Sequence, residues 1–275
     1  MNHLQLLFAG INIDVSADET TANLLKQNYS GLLDHKDTYN KALAYETSYD
    51  AEKNQFKIKV DGPDKETIEV DNDSDFIYFF EKSVTIQSQK LRPDLFFIHS
   101  AALKLGDKTI LIMGPSGAGK STTTYALTQH GFVYLSDELS PIDLNTMMVS
   151  PYPHALCLKN VPPAPYNLPK NMLKTERTMH VPVESLHSGF QHTASPVSHV
   201  FFVQYNPQRK DVVMDPVSKA SASILLYTNG LNHLCHDNAG LPAATKIATH
   251  CDCYSLEFSD VTQACEEIKS LIQEV

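Results

Sequence analysis

Gly114-Pro115-Ser116-Gly117-Ala118-Gly119-Lys120-Ser121 decides how the rest of this chain is read. It fits G-x-x-x-x-G-K-[ST] at every fixed position, the pattern of a loop that cradles phosphates. Glycines at 114, 117 and 119 let the backbone curl so that its N–H groups converge on an anion with no side chains in the way. Lys120 can reach terminal phosphates and Ser121 offers its hydroxyl to a magnesium ion, while Ser116, Ala118 and Thr122 complete the expected contacts. Upstream, Thr109-Ile110-Leu111-Ile112-Met113 reads as a buried strand; downstream, Thr122 to His130 reads as a helix that stops at Gly131. Strand, glycine loop and helix in that order predict a site for ATP, and the pattern does not separate ATP from GTP.

The stretch Phe132-Val133-Tyr134-Leu135-Ser136-Asp137-Glu138 is an apolar strand that ends in two adjacent carboxylates. Phosphoryl transfer uses a carboxylate near the metal and often another to accept the hydroxyl proton. Asp137 follows Lys120 after one helix and one return strand, which predicts that the acids lie beside the loop. His99 ends the preceding strand, Phe96-Phe97-Ile98-His99. If the three strands are parallel neighbours, His99 falls near Asp137; a histidine bonded to backbone is the plainer reading of the residue alone.

Outward from this core, residues 1–92 read as a strand-rich lobe and 93–275 as the nucleotide-binding part. Leu4 to Val15 reads as a strand. Phe56, Ile58 and Val60 alternate with Lys57 and Lys59, and Thr67 to Val70 pairs with them across Asp61-Gly62-Pro63-Asp64. Asp71 to Asp75 offers N-caps for a helix through about Gln89. Prolines crowd Pro151 to Pro169 and exclude a regular helix there. Val200 to Tyr205 reads as a strand, and Ser221–Leu231 and Asp260–Val275 as helices, the last with Ile268, Leu271, Ile272 and Val275 on one stripe.

Lys plus Arg is 22 and Asp plus Glu is 32 in 275 residues, a net charge of −10, which disfavours a broad nucleic-acid surface. No apolar run reaches membrane-spanning length, and Met1 to Gly10 lacks a basic start leading into a long apolar stretch. Five scattered cysteines make no disulfide framework, so the expected setting is the cytoplasm. His233-Leu234-Cys235-His236 and His250-Cys251-Asp252-Cys253 carry zinc-capable atoms without closing a four-ligand site, and Cys251 and Cys253 read as strand residues.

His99-Ser100-Ala101, a short strand, the loop with its Ser121-Thr122, a helix ending in glycine and then Leu135-Ser136-Asp137-Glu138 together resemble the HPr kinase/phosphorylase superfamily. The wider fold group includes ATP-dependent phosphoenolpyruvate carboxykinases. The pattern is most similar to the HPr-kinase-like branch, which includes kinases that tailor ribosomal peptides such as lasso peptides. The resemblance is specific over Phe96 to Asp143. It implies an α/β fold with a P-loop nucleotide-binding core of this type behind a strand-rich N-terminal lobe. It implies Lys120 and the loop amides on the phosphates, Asp137 as general base, Ser121 and Glu138 on magnesium, His99 supporting Asp137, and Lys159 on phosphate or acceptor. Glu138 stands where the HPr kinases proper have a second Asp, and their Glu-Ile-Arg-Gly-Leu-Gly signature has no counterpart here. Further cations for the transition state are sought among Lys159, Lys170, Lys174 and Arg177.

The leading expectation is a magnesium- and ATP-dependent kinase acting on a hydroxyl, serine foremost, of a peptide or protein such as a ribosomal peptide precursor. HPr kinases proper form rings, so a homo-oligomer is part of what the resemblance implies. The alternatives are a small-molecule P-loop kinase and a nucleotide-binding module without transfer chemistry.

Overall fold

A computed structural model describes residues 1–33 and 41–274. Alternate apolar residues Leu4, Leu6 and Phe8, then Ile11, Ile13 and Val15, are all buried. They do not form the single strand expected over Leu4–Val15. The chain reverses at Ala9 and Gly10, whose φ values are 48° and 75°, and makes an antiparallel hairpin of β1 (Asn2–Phe8) and β2 (Ile11–Ala17). Helix α1 (Glu19–Tyr29) follows, capped by the Asp18 carboxylate, which accepts from the Thr21 N–H at 2.8 Å. Strands β3 (Lys41–Asp50), β4 (Gln55–Asp61) and β5 (Glu66–Val70) complete a sheet in the order β1-β2-β3-β4-β5. The pairing of β4 with β5 is the one the alternation predicts.

Helix α2 (Asp73–Leu91) starts at the expected cluster, with Asn72 accepting from the Asp75 N–H at 2.8 Å. Its stripe of Phe76, Ile77, Phe80 and Val84 is buried on the sheet. The ring of Phe80 lies 4.9 Å from that of Tyr45, and Phe76 5.2 Å from Phe56. Leu95, Phe97, Leu139 and Tyr152 belong to the same apolar cluster, so this core continues past residue 92.

The second sheet contains β6 (Leu95–Ile98), β7 (Ala101–Leu105), β8 (Lys108–Met113), β9 (Val133–Ser136), β10 (Ser140–Asp143) and β11 (Met148–Val149). Helix α3 (Lys120–Gln129) joins β8 to β9. A small sheet of β12 (Leu156–Leu158), β13 (Leu173–Lys174) and β14 (Met179–Val181) comes next. Then follow β15 (Ser195–Tyr205), β16 (Val213–Pro216), α4 (Lys219–Thr228), α5 (Leu241–His250), β17 (Asp252–Phe258) and α6 (Val261–Glu274). The described part of α6 buries Ile268 and Ile272 as its stripe predicts, and Val275 lies outside the described residues. Cys253 sits in β17 and Cys251 just before it, both buried.

The large sheet runs β6-β10-β11-β15-β8-β7-β9, with β17 beside β15 and β16 beside β17. Strands β8, β15 and β17 are parallel. The condition that the three strands ending near His99, Met113 and Ser136 are parallel neighbours is not met. Strand β6 pairs antiparallel with β10, and the strand between β8 and β9 is β7, antiparallel to both. Strands β8 and β9 therefore point the same way with β7 between them. The start of β7 lies at the edge where they end, and that brings His99 to the same edge. No helix among the described residues is long and apolar enough to cross a membrane.

Candidate active site

The glycine loop leaves β8 and runs into α3. A Cβ at Gly114 would stand 2.7 Å from the Val203 carbonyl oxygen, so β15 leaves no room for any other residue there. Gly119 sits at φ +91°, a left-handed value, and starts α3 without a side-chain cap. The first-turn N–H groups of that helix, and the positive end of its dipole, are left for an anion.

Beside the loop lies a cleft of about 260 Å³. Gly114, Ser116, Gly117, Gly119, Lys120, Ser121 and Thr122 border it. Ala118 does not; it is 2% exposed, and its carbonyl accepts from the Tyr205 N–H at 2.9 Å. Cys157, Lys159 and Thr178 line the same cleft. Lys159 follows β12 and its ammonium donates to the Ser116 hydroxyl of the loop at 3.1 Å. The other candidate cations, Lys170, Lys174 and Arg177, do not border the cleft, and Arg177 is paired with Asp75 of α2 at 2.7 Å.

Lys120 ties the loop to the acid pair. Its ammonium donates to the Asp137 carbonyl and lies 3.3 Å from Asp137 Oδ1 and 3.5 Å from Glu138 Oε1. Burial alone would push the Lys120 ammonium down, but Asp137 and Glu138 outweigh it and hold its pKa above the ordinary value.

The two acids differ in a way the sequence did not signal. Asp137 is fully buried, does not border the cleft, and its Oδ2 has no hydrogen-bond partner. The expected base for an incoming hydroxyl therefore has no direct access to one. Glu138 borders the cleft with its side chain 33% exposed. Burial raises its carboxyl pKa, against the pull of Lys120 and His99 and with the help of Asp137. His99 is at the site, yet it supports Glu138 rather than Asp137. Its Nδ1–H donates to the Glu138 carbonyl at 3.1 Å and lies 3.3 Å from Glu138 Oε2.

Two further groups were not anticipated. Glu81 of α2 lies 3.6 Å from His154 Nε2, and His154 is 3% exposed. Burial pushes the Glu81 carboxyl up to about 7, reinforced by the charge of Asp137 and opposed by Lys120. Burial lowers the His154 pKa, opposed by Glu138 and Asp137. Glu81 occupies the helical stripe between Ile77 and Val84, so an acid among apolar stripe positions was the available signal.

Among the described residues, no set of three or more His, Cys, Asp or Glu is arranged to hold a metal ion. Magnesium asks for less, because it keeps waters and takes one or two protein oxygens together with substrate phosphates. The Ser121 hydroxyl and the Glu138 carboxylate on one cleft fit that demand.

No family model and no curated protein matches this chain. Among solved structures, 46 chains match. One is the Hpr(Ser) kinase/phosphatase from Coxiella burnetii, at 11% identity and a TM-score of 0.34, over 65% of this chain and 99% of that one. This is a weak likeness.

Proposed function

We propose that this chain is a magnesium-dependent kinase that moves the γ-phosphoryl group of ATP to a hydroxyl, a serine of a peptide or protein. Residues 93–275 carry the chemistry, and residues 1–92 form a lobe that places Glu81 behind it. One observation carries the reading. At the edge of the cleft bordered by the glycine loop, Lys120 stands 3.5 Å from Glu138, so a phosphate-binding cation and an accessible carboxylate share one site.

In this mechanism the loop amides and the start of α3 receive the phosphates. Lys120 meets the terminal phosphates, and Asp137 beneath it keeps it charged and in place. Lys159, beside Ser116 of the loop, adds positive charge to the transferred group. The acceptor oxygen bonds to the γ-phosphorus, the bond to the bridging oxygen breaks, and ADP leaves with the electron pair. The hydroxyl proton passes to Glu138, whose raised pKa brings it closer to working pH than an ordinary carboxylate. His99 holds the Glu138 backbone and carboxylate in position. Ser121 would hold magnesium, which when bound neutralises phosphate charge, while Glu138 keeps its carboxylate for the hydroxyl proton.

The test is incubation with γ-labelled ATP and magnesium, offering serine peptides in one arm and small alcohols in the other. Label on the peptides, lost in Lys120→Ala, is the expected result. Label only on small alcohols makes it a small-molecule kinase. Tight ATP binding without transfer or hydrolysis makes it a binding module.

A further inference from the structure

The order of strands bears on which way a nucleotide would lie. The acids sit at the end of β9, the glycine loop at the end of β8, and β7 runs between them in the opposite sense. On the other side of β8 comes β15, then β17, both parallel to β8 and ending at the same edge. If the terminal phosphate lies at Lys120 and Glu138, the rest of the triphosphate crosses the loop away from β9. Its nucleoside then arrives over the ends of β15 and β17, in the crevice beside adjacent parallel strands.

Tyr205 stands at that place, beyond the residues that line the phosphate cleft itself. It is the last residue of β15 and is 44% exposed although it is a large aromatic. Its backbone N–H donates to the Ala118 carbonyl of the loop at 2.9 Å. A Cβ on Gly119 would lie 3.4 Å from Tyr205 Cβ and 3.4 Å from Phe258 Cζ. With glycine at 119, that position places no side chain between the loop backbone and the tyrosine.

The support behind the ring is fixed. Phe258, 1% exposed, meets it edge-on at 6.1 Å and 65°. The Asn206 N–H donates to the Phe258 carbonyl at 2.8 Å, and Asn206 Nδ2 donates to Glu257 at 2.6 Å. Arg209 closes the turn on Glu257 at 2.7 Å. An exposed aromatic on an anchored strand end, tied to a phosphate loop, has the chemistry of a stacking platform.

We infer that Tyr205 is the nucleobase platform of this site: the base of a purine nucleoside triphosphate stacks on its ring while the phosphates occupy the glycine loop. This rests on the nucleotide reading of the loop given above. Stacking uses the flat face that every base has, so this contact holds ATP and GTP alike.

The experiment is calorimetric titration of the full chain, with magnesium present, using ATP, GTP and inorganic tripolyphosphate as separate probes. Wild type, Tyr205→Ala and Tyr205→Phe are compared. Tyr205→Ala is expected to weaken ATP and GTP binding about tenfold while tripolyphosphate binding stays the same, and Tyr205→Phe is expected to bind like wild type. Unchanged ATP affinity in Tyr205→Ala overturns the platform and leaves the nucleotide reading standing. Equal loss of ATP and tripolyphosphate also overturns it, because the ring would then only prop up the loop. A wild-type chain that binds none of the three overturns both.

Discussion

The outer face of the five-stranded sheet and the cleft at the end of β8 treat charge in opposite ways. On the sheet, Lys57 pairs with Glu69 at 2.8 Å and Lys59 with Glu46 at 3.0 Å, with every one of these side chains at least 39% exposed. Water solvates each partner, so such pairs add little to stability. At the cleft, Lys120 is 8% exposed and Asp137 not at all, and Glu81 and His154 lie behind them. Desolvation there is expensive and is offset only by mutual pairing. One face spends polar residues on solubility and register. The other concentrates charge where folding alone would not place it, and that contrast is the physical ground for reading the cleft as a site of chemistry.

The sharpest break of the contrast is Lys120→Ala. It removes the cation proposed to meet the phosphates and leaves Asp137 buried without its partner. Phosphoryl transfer should vanish, and thermal or chemical denaturation should show a loss of about 3–5 kcal/mol, the usual consequence of stripping one partner from a buried pair. Transfer that survives in a folded Lys120→Ala protein would refute the proposed chemistry.

Next come the two neighbouring acids, which the structure separates by access. Glu138→Gln should lower kcat by about 10²–10⁴-fold with only a small change in ATP affinity, as for loss of a proton acceptor. Asp137→Asn should act through Lys120, lowering stability and ATP affinity by about 1–3 kcal/mol, as when a buried charge loses a bonded partner. The proposed base works ionised, and burial raises the Glu138 pKa. Rate should therefore fall on acidification through a pKa above the ordinary carboxylate value of about 4.3. If Asp137→Asn shows the large kcat loss with unchanged ATP affinity, and Glu138→Gln does not, the roles are reversed.

What the sequence revealed was local. The loop at 114–121, the strand before it and the helix after it share one contiguous pattern, and the 56–60 and 67–70 strands announce themselves by alternation. The hairpin at Ala9–Gly10 was hidden because β1 and β2 bury alternate residues on one common core, so alternation runs on through the turn. Strand β7 was missed because its place between β8 and β9 is settled by pairing, which neighbouring residues do not disclose. Asp137 and Glu138 look equivalent in sequence. Only the end of β9, turning over Lys120, buries one and opens the other. Glu81 comes from α2, in a segment with no link in sequence to the loop.

That remote acid sets a smaller test. Glu81 has its pKa raised to about 7, so between the unfolded value of 4.5 and about 7 the folded chain holds more protons than the unfolded one. Stability contributed by this group is then complete below 4.5 and is lost as pH rises toward 7. Its side chain remains 24% exposed, which reduces the full value of the shift to about 1–2 kcal/mol. Glu81→Gln should match wild type near pH 4 and be more stable by that amount at pH 8, measured by urea denaturation at both. A variant less stable at pH 8 would mean that the ionised acid is held by a favourable partner, and the cleft would then be less hostile to charge than its burial implies.

The least effect is expected on the sheet. Lys59→Ala removes a cation paired with Glu46, where the two side chains are 47% and 48% exposed. Each group is already hydrated, and holding two long side chains together costs entropy that the pairing barely repays. Urea denaturation at low and physiological salt should show a change of no more than about 0.5 kcal/mol, shrinking as salt rises. ATP binding and transfer should not move, because β4 lends no residue to the cleft. A loss of 2 kcal/mol here would put this surface pair on the same footing as Lys120 with Asp137. The distinction between a solvated face and a charged site would then have to rest on access to ligand alone.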